Sequence, residues 1–249
     1  MAAGLNDPYE IENLFRYIIY TPKFINYAQE SASKMVTSLF TDAGTTWRTA
    51  ARENARGREI YLALQDELNK PGIVGDTVFE EIMRNAKLIK TIPTDTAEYI
   101  NRHIRNETMS GKRASDIEKS IKTFIPKQSN AKVELIARTE VSKVNTALTH
   151  ARCLNVGIAW YVWRTEKDAR VRDSHRLMEG IIIAWSNPPS PETLNDEKSY
   201  GKYHAGNIFN CRCYPEPLTR LDLVQWPHKV YFGGKAQMMT RAEFEILAS

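Results

Sequence analysis

Between Tyr203 and Pro217 the chain places His204, Asn207, Asn210, Cys211, Arg212 and Cys213 within fifteen residues, a density of groups that can bind metal, move protons or clamp anions. Thiolate beside imidazole is the donor set of tetrahedral zinc, and the candidate ligands are Cys211, Cys213, His204, His175, His150 and Cys153. Cys211 and Cys213 in C-x-C spacing supply half of a site. His150 and Cys153, three apart, supply another half only if their helix end abuts that segment. Without a C-x-x-C partner the spacing favours two small cysteines packed as hydrophobes, so no bound metal or other cofactor is expected. A second chemistry uses Arg172, His175, His204 and Arg212 as acid, base and anion clamp of a phosphodiesterase or nucleotide transferase. Against it, the chain has no nucleophile and base at fixed spacing, no glycine-rich phosphate loop and no paired carboxylate motif. The same side chains, with Glu140, Arg138, Asp168 and Asn210, describe a polar latch that holds loops by ion pairs and hydrogen bonds, and no catalytic residue is expected.

The elements that must position these groups differ along the chain. From Pro8 to about Thr149 apolar residues recur at three and four spacing, with expected breaks at Pro71 and Gly72, Pro93, Gly111 and Pro126. Thr94 and Ser115 read as helix openings, the latter a capping box with Glu118. In the helix from about Asn130 to Asn155, Val133, Ala137, Val144, Ala147, Leu148 and Ala151 form one stripe, and Glu140 falls in its centre. An unpaired carboxylate there would cost several kcal/mol, so Arg212 or Arg172 is expected to meet it, the alternative being that Glu140 lies at the helix edge and reaches water.

After Gly157, the stretch Ile158 to Trp163 is apolar on both alternating faces, as a strand covered on both sides would be. A short helix from Ala169 to Met178, capped by Asp168 and ended by Gly180, carries Arg172 and His175. A strand from Ile181 to Trp185 and a Pro-rich loop follow. Asn210 to Tyr214 alternates like a strand, with both cysteines on one face and Arg212 on the other. Val230 to Phe232, a Gly233–Gly234 turn and a final helix near Thr240, capped with Glu243, close the chain. The fold class is α+β: a largely helical N-terminal region, then a long helix packed on a small, mostly antiparallel sheet.

The 249 residues are 42% hydrophobic and 26% charged, the balance of a globular protein, and the formal net charge is only +4. That mild charge permits weak non-specific DNA contact without implying it. No apolar run approaches a membrane span and the N-terminus lacks the pattern of a signal peptide, so no membrane is expected and folding is assigned to the cytosol. Three cysteines do not make a disulfide framework and are expected to be reduced.

Ile136 to Glu140 in a helix, Trp160 or Trp163 in a strand, Asp168 to Arg172 with His175, Gly180, Gly206, and Asn210 to Cys213 form an ordered set. In that order and spacing, from about Lys90 to about Pro217, the chain resembles the Mu-F-like phage head-morphogenesis family of minor head proteins. The resemblance implies that many relatives carry a C-x-x-C pair where this chain has Arg172 and His175, and its absence here lowers the expectation of zinc. The resemblance implies a structural virion component at the portal vertex or head interior, assembled in the host cytoplasm. It also implies work in head morphogenesis, with a role in DNA packaging or ejection, and no enzymatic activity. Implied partners are the portal protein and the major capsid or scaffolding protein. The organisation expected is residues 1–90 as a helical region for portal docking, 91–217 as the Mu-F-like module, and 218–249 as a C-terminal tail. Phe15, Tyr17, Tyr20 and Trp47 are the expected apolar docking residues.

Overall fold

The computed structural model describes residues 13, 16–53, 67, 72–109 and 114–248. Among the described residues, three long helices come first: α1 (Pro22–Glu53), α2 (Ile73–Met109) and α3 (Ala114–Asn155). The expected break at Pro71 and Gly72 stands just before α2, but Pro93 and Pro126 lie inside α2 and α3, and Thr94 is interior too. A proline forbids only the hydrogen bond its own nitrogen would donate and crowds one carbonyl, a loss of about 3 kcal/mol that a helix of this length absorbs.

The chain divides into two compact units. The first comprises Met1–Val36 and Glu80–Arg138, where Ala28, Ala32 and Val36 repeat every four residues along α1 and are buried, as are Asn85 and Ala86 of α2. Asn85 donates its side-chain amide to the Glu81 carbonyl at 2.8 Å, which satisfies it without leaving the helix. Tyr17 and Tyr20 are 71% and 75% exposed, and Tyr27 is exposed as well. Phe15 lies outside the described residues.

The second unit, Thr37–Phe79 and Thr139–Ser249, holds the sheet and the second half of the motif helix. Its strands are β1 (Trp160–Arg164), β2 (Ile182–Ala184), β3 (Tyr214–Pro217), β4 (His228–Phe232) and β5 (Lys235–Met239), in the order β3-β1-β2-β4-β5. All pairings are antiparallel except β2 with β4, where Ile182 stands opposite Val230. The sheet is therefore mostly antiparallel, as expected. Residues 228–239 are not a tail appended to the module, because they add two strands to its sheet and His228 Nε2 reaches the Gly180 carbonyl at 2.7 Å. The turn of that hairpin uses Gly233 and Gly234 at φ 61° and 82°, a backbone that side-chain-bearing residues adopt only with strain.

Alternation along β1 sends residues to opposite faces. Tyr161 and Trp163 join Ile181, Ile183, Trp185, Tyr203, Cys211, Cys213 and Tyr231 in one cluster, with Trp47 packed against it. Val162, Ile182, Val230 and Phe244 form the other, on which α5 (Arg241–Ala248) lies. The strand covered on both sides is thus observed. Trp47, proposed for docking, instead covers the core of its own unit. The capping box at α5 is also observed: Thr240 N donates to Glu243 Oε2 at 2.7 Å and Glu243 N to Thr240 Oγ1 at 3.3 Å.

The stripe on α3 is buried only from Thr139 onward: Val144, Leu148 and Ala151 are enclosed, while Val133 and Ala137 are exposed. The short helix is α4 (Asp173–Leu177), begun by Arg172 rather than Asp168. Asp168 makes a local turn instead, its Oδ1 accepting from Arg170 N at 3.0 Å. Asn210 to Cys213 precedes β3 rather than forming it, because Asn210 at φ 52° breaks the extended run.

Candidate functional site

The loop from Tyr203 to Cys213 is tied to the motif helix at two levels. Thr146 Oγ1 donates to the Ala205 carbonyl at 2.7 Å, and Asn210 N donates to Thr139 Oγ1 at 3.2 Å. Thr139 and Thr146 are seven apart, two helical turns, so they present both hydroxyls on one side of α3. Between the two ties Gly206, at φ +87°, passes so close that an added Cβ would fall 2.4 Å from Thr146 Oγ1 and 3.1 Å from the Cys213 carbonyl. Only glycine fits both the angle and the gap.

The segment 168–172 clamps the other side of the loop. Arg172 Nη2 donates to the Phe209 carbonyl at 2.9 Å while its guanidinium lies 4.6 Å over the Phe209 ring. Arg212 pairs with Asp168. Neither arginine meets Glu140, contrary to expectation. Glu140 is buried and has Lys143 Nζ 3.2 Å away on its own helix, an i,i+3 pair within reach of a flexible side chain. Arg138 is not part of this arrangement: it is exposed and bonds the Glu134 carbonyl at 3.3 Å.

Under the loop, His175, Cys211 and Cys213 converge. His175 Nδ1 lies 3.6 Å from Cys211 Sγ and 3.3 Å from Cys213 Sγ, and the three ligand-capable atoms fall within 4.8 Å of one another. His175 Nε2 is 3.0 Å from the Tyr203 hydroxyl, which in turn donates to Glu192 Oε1. Because the phenol gives its single proton to the carboxylate, it can only accept from the imidazole. Nε2 therefore carries the ring proton, and the Nδ1 lone pair faces the two sulfurs. His175 and Glu192 are 2% and 0% exposed, and Glu192 Oε2 has no hydrogen-bond partner among the described residues. Burial, then the adjoining Glu192 carboxylate, pushes the Tyr203 phenol up and keeps it protonated. The hydrogen bond from Cys213 lowers the Cys211 thiol, and Cys213 is raised correspondingly by Cys211 and by burial.

His204 and His150 stand apart from this trio. His204 Nδ1 is 3.2 Å from the Tyr161 hydroxyl, and its ring meets Trp185 edge-on at 5.0 Å; His150 stacks on the same indole at 4.4 Å. Burial, then neighbouring His150, lowers His204 to about 4, so the imidazole is neutral at pH 7. Cys153 belongs to the same apolar cluster, and burial pushes its thiol up to about 12. Arg172, His175, His204 and Arg212, proposed together as a catalytic set, each have a separate partner rather than a common focus.

Two features escaped the sequence. Tyr203 and Glu192 orient His175 from a loop with no motif. Arg152, with a fully enclosed side chain, binds Glu67 at 3.1 Å and the Phe40 carbonyl at 3.1 Å, and lies 4.9 Å over the Phe40 ring. Arg152 follows the apolar Ala151 on α3, and that break in the stripe was its one available signal.

The latch, with its glycine, its paired arginines and its C-x-C segment, falls within residues 98–215, which match the family described as Phage Mu protein F like protein. Over that stretch the chain is similar to the Mu-F-like proteins. A Haemophilus influenzae (strain ATCC 51907 / DSM 11121 / KW20 / Rd) protein described only as uncharacterized is 34% identical over 134 residues, or 54% of this chain. The aligned stretch spans 28% of that relative's length. No solved structure matches. The Mu-F-like match relates the chain to phage head proteins, and no described helix is long and apolar enough to cross a membrane.

Proposed function

We propose that this chain is a structural minor head protein of a tailed phage that docks on the portal vertex during head assembly and acts in packaging or ejection of the DNA. The observation that carries the reading is the Mu-F-like match over residues 98–215, the stretch that holds the latch. The polar groups of that stretch support a structural role, because Arg172, Arg212, Thr139 and Thr146 are spent on closing one loop over one helix. Surface for a partner is offered by the first unit, where Tyr17, Tyr20 and Tyr27 are exposed aromatic side chains of the type that anchors interfaces. The portal protein is the partner assigned to them, with the major capsid or scaffolding protein adjoining in the assembled head. The chain would act in the host cytoplasm during assembly and remain with the virion afterwards.

The test is co-sedimentation of the purified full chain with its cognate portal protein, alongside a Tyr17→Glu, Tyr20→Glu variant. Binding by the parent chain and at least tenfold weaker binding by the variant is the expected result. Absence of binding, together with normal packaging and delivery of DNA by phage lacking the gene, would overturn the reading.

A further inference from the structure

We propose that His175, Cys211 and Cys213 form a zinc site, with His175 binding through Nδ1 and Tyr203 and Glu192 holding the imidazole in the required tautomer. The spacing fits. With Zn–S near 2.3 Å and Zn–N near 2.0–2.1 Å, sulfur and nitrogen at two vertices of a tetrahedron stand about 3.5 Å apart. The two nitrogen–sulfur separations here are 3.6 and 3.3 Å.

The surroundings fit a metal better than a set of hydrogen-bonded thiols. One Nδ1 lone pair can pair with only one of the two sulfurs, so without an ion the sulfurs, weak donors and weak acceptors, must also pair with each other. Zinc engages both sulfurs and the nitrogen at once. The chain from His175 Nε2 through the Tyr203 hydroxyl to the Glu192 carboxylate is the outer support that fixes a ligating histidine's ring and raises its basicity. Cys213 N also points at Cys211 Sγ at 3.4 Å, a donor suited to a thiolate.

Three ligands from the chain leave the fourth vertex of a tetrahedral ion to a solvent-derived group. Zinc holds both sulfurs as thiolates, so binding releases to solvent the protons they carry and affinity falls as pH is lowered. Because the ligands come from α4 and from the closing loop, the ion would pin the loop independently of its ties to α3.

The experiment uses the full chain without a histidine tag. Metal analysis after purification in chelator-free buffer is expected to give about one zinc per chain. Cobalt(II) added to chelator-stripped protein is expected to produce thiolate-to-metal charge-transfer absorption, present also in Cys153→Ser and lost in Cys211→Ser and Cys213→Ser. Tyr203→Phe, which keeps all three ligands and removes the relay, is expected to bind zinc about 10–100-fold more weakly. If the cysteine variants do not fold, the parent chain and Tyr203→Phe still decide the matter. Substoichiometric zinc with no charge-transfer band would overturn the proposal, as would a band that survives in Cys211→Ser and Cys213→Ser, or binding of copper(I) with none of zinc.

Discussion

Replacing Gly206 by alanine tests whether the loop closes on the motif helix by the contact seen. Two contributions add. The backbone at φ +87° is one that alanine adopts with about 1–3 kcal/mol of strain. The new methyl would stand 2.4 Å from Thr146 Oγ1, far inside contact distance, and must push away the hydroxyl that donates to Ala205 at 2.7 Å. Losing that buried hydrogen bond leaves the Ala205 carbonyl without this donor, at a cost of about 1–3 kcal/mol. Gly206→Ala is therefore expected to destabilise by about 2–6 kcal/mol. Gly201→Ala is the control, since Gly201 has φ +103° but nothing within 4 Å of its added Cβ, and it should show the strain alone. Urea unfolding followed by tryptophan fluorescence reads both, because Trp163 and Trp185 lie in the cluster the loop covers. Adding Thr146→Ala should make the Gly206→Ala penalty shrink toward the control value, a coupling of about 1–3 kcal/mol in the cycle. If Gly206→Ala were no worse than Gly201→Ala, or if its effect added independently to that of Thr146→Ala, the close approach would not be what holds the loop.

Two further outcomes follow from buried charge and buried imidazole. Arg152→Met leaves the Glu67 carboxylate enclosed without its cation and should cost about 3–5 kcal/mol in denaturant unfolding; Arg152→Met with Glu67→Leu should recover most of it, and equal penalties for single and double variants would refute the pairing. His204 titrates near 4 when folded against 6.5 ordinarily, so the unfolded chain takes the proton first. Its stabilising contribution is complete above pH 6.5 and is lost as pH falls toward 4, up to about 3 kcal/mol. Unfolding free energies measured across that window should fall with pH, less steeply in His204→Gln; parallel slopes in the two proteins would count against a neutral buried imidazole.

What the sequence revealed of this fold was local, and what it hid was pairing. Two-sided burial of β1 was legible because Tyr161, Val162 and Trp163 are all apolar, and the Thr240–Glu243 cap because both partners lie within four residues. Partner choice was not legible: Arg212 had Glu140 and Asp168 as equally plausible carboxylates, and the turn at Asp168 brought the nearer one. His175 joined the cysteines, while His204, far closer to them in sequence, packed on Trp185. Proximity along the chain carried no information there, because the left-handed bend at Asn210 redirects it. The parallel pairing of β2 with β4 lay beyond reach for the same reason, since a contact between Ile182 and Val230 leaves no periodic trace.

The sheet's two faces give the molecule a form of insulation. Tyr161 and Trp163 speak to the latch, Val162 to Phe244, and alternate side chains of one strand share only its backbone. Substitutions on the α5 side should combine additively with substitutions under the loop, provided the strand keeps its register. The outer face can then be reshaped to suit a particular neighbour in an assembly while the histidine and its two thiols stay undisturbed. Adaptability and constancy occupy opposite sides of a layer one strand thick.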